Sequence, residues 1–339
     1  MIHSTQRLTR RSFSLFTSNL MSAAATSMAV MGLVASPAAL AQAWPAKPLK
    51  MIVPAGPGAA PDVIARLLGE RLGAALGQGV VIENRPGAGG IPGMSALARS
   101  PGDGYTIGFV PAAMGTITPL VYKNPQFNPD TELTSVATVG ISPLVLATSV
   151  ASGINNLSDL ARQSKAAPGK LNFAAPQLNS LPHLAGEVVN KMGAMGLTTV
   201  PYPGPPAAVV ALLAGEVTLV ADGVPGLLQH FKSGRLKPLA VTSAQRLPGL
   251  DIPTVAETYP GYDLVGWFQI IVPVGTPPEV AQRLNAEINK ITATPEMVTR
   301  LNDMGVYPRQ DNLVASREFF AAQQRVAKKL VSDLGIQPQ

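Results

Sequence analysis

The residues best placed for ligand chemistry form a run of small side chains, Gly56, Pro57, Gly58, Ala59, Ala60 and Pro61, closed by Asp62. Small residues let a ligand approach the main chain closely. Directly after them Ile64, Leu67, Leu68, Leu72, Ala75 and Leu76 recur at helical spacing. The run therefore ends at a helix N-terminus, where unpaired N–H groups and the positive end of the dipole receive an anion. Pro61 suits the first helical position, and the charge of Asp62 complements the dipole. An ordinary strand-to-helix loop would use the same residues. Asn179 and Ser180 precede a second helical pattern at Leu181, Leu184, Val188, Val189 and Met192. Ser180 there is either a ligand contact or simply a good N-cap. A third position, Tyr202-Pro-Gly-Pro-Pro206, reads equally well as a turn ahead of a helix.

Catalytic constellations are weak by comparison. The chain has no G-x-S-x-G nucleophile elbow and no G-x-x-x-x-G-K phosphate loop. Gly87-Ala-Gly89-Gly-Ile-Pro92 half matches a dinucleotide fingerprint, but Pro92 occupies the place of the third glycine. Beyond residue 43 the histidines are His183 and His230, one opening a helix and one closing an apolar helical face. Asp62 and Asp222 are the pair available for acid–base work, so a hydrolase stays open as a minor reading. Cysteine is absent, which excludes disulfides, thiolate metal sites and a cysteine nucleophile. Three histidines are too few for a multi-histidine centre. We expect no metal, no cofactor and no catalytic residues.

The elements that must hold these loops alternate. Strand patterns at 49–54, 80–82, 105–110, 171–175, 198–201, 217–221 and 239–242 are interleaved with helical patterns at 61–76, 94–99, 157–166, 181–192, 206–215 and 226–234. Such alternation predicts parallel sheets of the α/β class. Two long apolar runs, at 136–148 and 263–273, are placed to cross between two α/β lobes. From Pro278 onward the pattern is helical, with one stripe at Val280, Leu284, Ile288 and Ile291 and another at Phe319, Val326, Leu330 and Leu334. We expect lobe 1 at 44–145 and 265–339 and lobe 2 at 146–264. An open α/β sheet binds ligands at the carboxyl ends of its strands, where all three candidate loops fall.

With 339 residues, two domains of roughly 150 residues each are expected. Charged residues make up 14% and mean hydropathy is +0.22, an apolar balance for a water-soluble protein. The formal charge of +6 overstates the basicity, because the first 43 residues hold Arg7, Arg10 and Arg11 and no acid, which leaves +3 for the rest. No basic cluster interleaved with aromatics occurs, so nucleic acid is not an expected partner. Residues 1–43 read as an export signal. Arg10 and Arg11 with Phe13 resemble a twin-arginine motif, a weakly apolar stretch follows, and two small-x-small sites end at Ala43. Cleavage after Ala43 and a periplasmic location are expected. The general secretory route and an uncleaved anchor are the alternatives.

Several short runs resemble the Bug-type receptors, the periplasmic substrate-binding proteins of tripartite tricarboxylate transporters. They begin with Trp44-Pro-Ala-Lys-Pro-Leu-Lys-Met-Ile-Val-Pro54 and continue through Val81-Ile-Glu-Asn-Arg-Pro-Gly-Ala-Gly-Gly90, Asp103-Gly-Tyr-Thr106, Pro168-Gly-Lys-Leu171, His183-Leu-Ala-Gly-Glu187, Val200-Pro-Tyr202, Leu239-Ala-Val-Thr-Ser243, Pro253-Thr-Val-Ala-Glu257, Trp267 and Pro273-Val-Gly-Thr-Pro277. They stand in family order across nearly all of the chain beyond residue 43. The resemblance implies a two-lobed, type II periplasmic binding fold with a ligand cleft between its lobes. It implies that loop 55–62 binds a carboxylate through Gly56, Pro57, Gly58, Ala59, Ala60 and Asp62. Loop 174–180 with its helix would add Ala175, Gln177, Asn179, Ser180, His183 and Tyr202, and Asp222 would accept from a ligand donor. The implied partners are a small carboxylate and the membrane subunits of a transporter, with the receptor a monomer. A ligand-sensing partner of a sensor kinase is the alternative on the same fold. The chain departs from the family pattern. Ala59-Ala60 replaces Gly-Gly, Pro61 replaces Thr, Gln177 and Asn179 replace glycines, Pro203 replaces Lys and Gly223 replaces Asn. These changes imply either a ligand unlike a simple dicarboxylate or loss of carboxylate binding.

Overall fold

The computed structural model describes residues 44–262 and 264–338. The export-signal reading of residues 1–43 lies outside the described residues. Residues from Lys47 onward form one unit that contains two sheets. The first is ordered β11 (Tyr307–Pro308), β4 (Leu133–Ser142), β10 (Gly266–Pro273), β3 (Thr106–Pro111), β1 (Leu49–Val53) and β2 (Val80–Asn84). The second is ordered β7 (Thr198–Tyr202), β6 (Asn172–Pro176), β8 (Leu219–Gly223), β5 (Leu144–Ser149) and β9 (Leu236–Val241). In each sheet a central strand pairs in parallel with two neighbours, β1 with β2 and β3 and β6 with β7 and β8. Each parallel set is then joined by an antiparallel strand, β10 in the first sheet and β5 in the second, and β11 at the edge of the first also pairs antiparallel. Helices cover the faces, so the central strands are largely apolar: Leu49, Met51, Ile52 and Val53 of β1 are buried, while Lys50 is exposed.

The 136–148 run is split at Pro143, with β4 in one sheet and β5 in the other. Proline has no N–H to donate to a ladder, so the pairing changes there. Register then places the loops. Gly266 of β10 lies opposite Ser142, and Phe268 lies opposite Pro111. The end of β4 therefore shares an edge with the ends of β1, β2 and β3. Leu144 of β5 lies opposite Gly223, so β5 begins at the edge where β6, β7 and β8 end. Pro143 thus joins the edge where the parallel strands of the first sheet end to the edge where those of the second end.

Helices α1 (Ala60–Leu76), α2 (Ile91–Ala98), α3 (Leu157–Ala166), α4 (Leu181–Met192), α5 (Pro205–Ala214) and α6 (Val224–Lys232) connect the strands; all but α3, which follows the far end of β5, return from those carboxyl ends. Helix α1 stops at Gly77, whose left-handed φ of 69° suits glycine. The C-terminal region is not helical throughout. It holds α7 (Pro278–Thr292), α8 (Pro295–Asp303), the short β11 and α9 (Leu313–Asp333). The α7 stripe Val280, Leu284, Ile288 and Ile291 is buried. The α9 stripe is in a different register: Phe320, Ala327, Leu330 and Val331 are buried, while Phe319, Val326 and Leu334 are half-buried. The buried face of α9 also carries Ser316, Gln323 and Gln324, which a count of apolar residues misses. Ser316 Oγ accepts from Thr138 N–H at 3.2 Å, and the Gln269 amide donates to Ser316 O at 3.2 Å. The far half of α9 enters a core with Phe173, Leu184 and Val189 of the second sheet's side. Asp222 lies within β8 rather than after it, because the strand runs two residues beyond the expected 217–221.

Candidate functional site

The first group of site residues is built around Asp62, which is 3% exposed. Its Oδ2 accepts from Gly58 N–H at 2.8 Å and from Arg66 Nε at 3.0 Å. Its Oδ1 accepts from the Asn84 amide at 2.8 Å and pairs with the Arg66 guanidinium at 2.9 Å. Asn84 also donates to Ala55 O at 3.1 Å and accepts from Arg66 at 3.0 Å. The Arg66 guanidinium, Gly58 N–H and Asn84 together hold the Asp62 carboxyl down to about 2. Both oxygens of Asp62 are thus engaged inside the fold, and the carboxylate acts as the post that fixes loop 55–60. Within that loop Ala59 N–H donates to Gly56 O, and Asp62 N–H to Ala59 O. The N–H groups of Gly56 and Ala60 have no acceptor among the described residues. Pro57 and Pro61 contribute no donor. Open space lies beside both Gly56 and Gly58, and Gly58 has φ of 78°. The loop offers an anion two main-chain donors, the helix dipole and no side-chain obstruction.

The second group surrounds the start of α4. Ser180 Oγ donates to Pro176 O at 2.6 Å and caps α4 by accepting from His183 N–H at 3.4 Å. His183 Nδ1 accepts from Asn179 N–H at 3.0 Å. Its Nε2 lies 3.7 Å from Glu187, and Thr199 Oγ1 donates to the same carboxylate. The imidazole beside it holds the Glu187 carboxyl below its ordinary range. Ser180 and His183 therefore do not form a nucleophile and base, since the serine hydroxyl is spent on the Pro176 carbonyl. Gln177 N–H donates to Tyr202 O at 2.9 Å, which ties the loop after β6 to the end of β7. Ala175 is buried inside β6 and holds the loop root. The N–H of Leu181, in the first turn of α4, has no acceptor among the described residues.

Asp222 forms the third group. Its Oδ1 accepts from Gly223 N–H at 2.7 Å, and burial pushes its carboxyl up. A Cβ on Gly226 would come within 2.7 Å of Asp222 Oδ2, so a glycine in the first turn of α6 makes room for this oxygen. The hydrogen bonds of the first group stay within the first sheet's side, and those of the second and third within the other. Register places the first group at the carboxyl ends of the first sheet's strands and the other two at those of the second, with no hydrogen bond between them among the described residues. Sequence reasoning missed Arg66, Asn84 and Glu187 as supports. The i,i+4 spacing of Asp62 and Arg66 was a legible signal. Asn84 lies 22 residues from Asp62 and reaches it only because Asn84 is the register partner of Val53.

The family model described as "Tripartite tricarboxylate transporter family receptor" matches residues 64–336. Protein BugT of Bordetella pertussis is 36% identical over 294 residues, covering 83% of this chain and 89% of BugT. The solved structure of R. palustris Rpa4515 with adipate superposes with a TM-score of 0.72 at 30% identity, over 87% of this chain and 100% of that one. The periplasmic binding protein BugD superposes with a TM-score of 0.68 at 31% identity, again over 87% and 100%.

Proposed function

The chain belongs to the receptor family of tripartite tricarboxylate transporters, and from that premise we propose that it captures a small carboxylate between its lobes for delivery to membrane transport subunits. It is a periplasmic-type solute-binding protein of two-lobed fold. The observation that carries the carboxylate reading is the first loop. There Asp62, Asn84 and Arg66 lock the main chain so that the Gly56 and Ala60 N–H groups stay free at the head of α1. Prearranged main-chain donors at a helix N-terminus match a carboxylate, and locking them in advance reduces the ordering cost of binding. The adipate complex of Rpa4515 supports a ligand of this class.

The two lobes are taken as 44–145 with 265–339, and 146–264, hinged at the crossing beside Pro143 and at the return near residue 265. A carboxylate docks on the first loop, the loop ahead of α4 closes over it, and closure is driven by contacts available only in the closed state. The export signal, cleavage near Ala43, the periplasmic destination and a monomeric receptor complete the proposal. Among the described residues no helix is long and apolar enough to cross a membrane.

Thermal melting against a panel of mono-, di- and tricarboxylates tests the reading, together with native mass spectrometry of ligand that co-purifies. A ligand at about 100 times its dissociation constant is expected to stabilise by about 2.7 kcal/mol. No shift with any acid, and no acid in the native mass spectrum, would sink the proposal.

A further inference from the structure

Successive turns of α9 enter two different cores. Phe320 packs with Ile52, Val110 and Trp267, its ring 5.9 Å from that of Trp267. Two turns on, Ala327, Leu330 and Val331 join Phe173, Leu184 and Val189 on the second sheet's side. The helix therefore starts on the first sheet and ends in the other lobe's core, although residues 265–339 count with lobe 1 in the proposed division. Ile117 and Val121 join that same core. Helix α4 is seated firmly on the second sheet. A Cβ on Gly186 would lie 2.0 Å from Phe173 Cζ, so α4 rests directly on a ring of β6 and moves with it. Between α4 and the far half of α9 the packing is loose. A trough of about 360 Å³ runs there, lined by Val188 and Met192 of α4, Val326 and Leu334 of α9, and Tyr262 and Leu264 ahead of β10. Lys191 Nζ ties the two helices by donating to Asp333 O at 2.6 Å. Met192 stands about 16 Å along α4 from Leu181, and none of the candidate ligand residues lines the trough.

We propose that this seam is a conformational control built into the fold: the packing between α4 and α9 sets the balance between open and closed lobes. The inference rests on the reading of lobe closure over a carboxylate and adds the place where the balance is set. A turn of one lobe on the other about the crossings at Pro143 and Gly266 shifts α4 against the turns of α9 held by Trp267. Atoms that line a void lack contact partners on one side. The contacts across the seam therefore differ between two lobe angles, and a side chain that fills the trough favours the angle that accommodates it. Closure contacts exist only in the closed state, so apparent affinity follows the fraction of free protein already closed. A change in the seam then reaches the ligand without touching a ligand loop.

The chain has no cysteine, so spin labels at Glu70→Cys on α1 and Val210→Cys on α5, both exposed, report the separation of the lobes by double electron–electron resonance. The labelled protein is compared with versions that also carry Val188→Trp, Val326→Trp, Val188→Ala or Val326→Ala. Each is measured free and with adipate, malate or citrate, beside calorimetric titration of the same acids. Melting curves fix a temperature at which each variant is folded, and the two walls give independent pairs. The tryptophans fill the trough and the alanines enlarge it, so they are expected to move the free protein's separation in opposite directions. Of each pair, the variant with the shorter separation is expected to bind about fivefold tighter or more. An unchanged separation in all four free variants overturns the inference. So do tryptophan and alanine variants that shift it the same way, or equal affinities across a pair whose separations differ. If no acid binds the wild type or moves its labels, the carboxylate reading is what fails, and opposite shifts in the free protein still uphold the seam.

Discussion

At the scale of single residues, Asp62 shows how a charged side chain in a candidate binding loop holds the loop itself in place. Its carboxyl sits at about 2, below the ordinary 3.8. The folded state therefore holds the proton less tightly than the unfolded chain. The stability this contributes is fully present above about pH 4 and fades as pH falls toward 2. Urea unfolding of wild type and Asp62→Asn is expected to differ by about 1–3 kcal/mol at pH 6, with the gap shrinking at pH 3. An equal gap at both values would remove the charge from the account. Ser180 is a second case. Its hydroxyl bonds to Pro176 O and to the His183 N–H, so Ser180→Ala is expected to lose about 1 kcal/mol of capping. It is also expected to weaken ligand affinity, because the loop it ties to β6 is the one proposed to close over the ligand. Calorimetry showing unchanged affinity would leave Ser180 as a cap alone.

At the scale of elements, the loops depend on what packs beneath them. Helix α2 crosses so close to the root of the first loop that a Cβ on Gly93 would meet Pro54 Cβ at 2.7 Å and Pro54 Cα at 2.8 Å. Gly93→Ala is expected to cost about 1–3 kcal/mol and to weaken binding, since the strain falls on the start of loop 55–60. Leu284→Ala, in the buried stripe of α7, is expected to cost about 2–5 kcal/mol with affinity unchanged at a temperature where the variant is folded. If both variants lose affinity alike, binding follows global stability and not loop position. The α7 stripe was legible because its buried positions are apolar. The α9 register was not, because Ser316, Gln323 and Gln324 are buried on the same face as Phe320 and Ala327. Thr138 and Gln269, which partner Ser316 and make its burial tolerable, belong to distant strands.

At the scale of the whole molecule, the chain changes sheets at Pro143 and returns at Gly266, whose Cβ would lie 2.5 Å from Ser142 O and 3.2 Å from Leu181 Cδ2. These crossings sit at the edge where the parallel strands of both sheets end, so the proposed closure would turn about them. Small-angle scattering is expected to show a smaller radius of gyration with a bound acid than without. A ligand that raises the melting temperature without compaction would argue against hinge closure. The sequence by itself determined the alternation of strands and helices, the apolar strands of sheets covered on both faces, and the placing of small residues and Asp62 at the head of α1. All of these follow from periodicity and helix-end chemistry within a dozen residues. Only the tertiary structure decided that Asn84 and Arg66 lock Asp62, that Asp222 stands inside β8, and that Gln177 and Asn179 keep a left-handed backbone. The physical reason is that strand register and side-chain pairing join residues far apart in the chain, and no local pattern encodes which of them will meet.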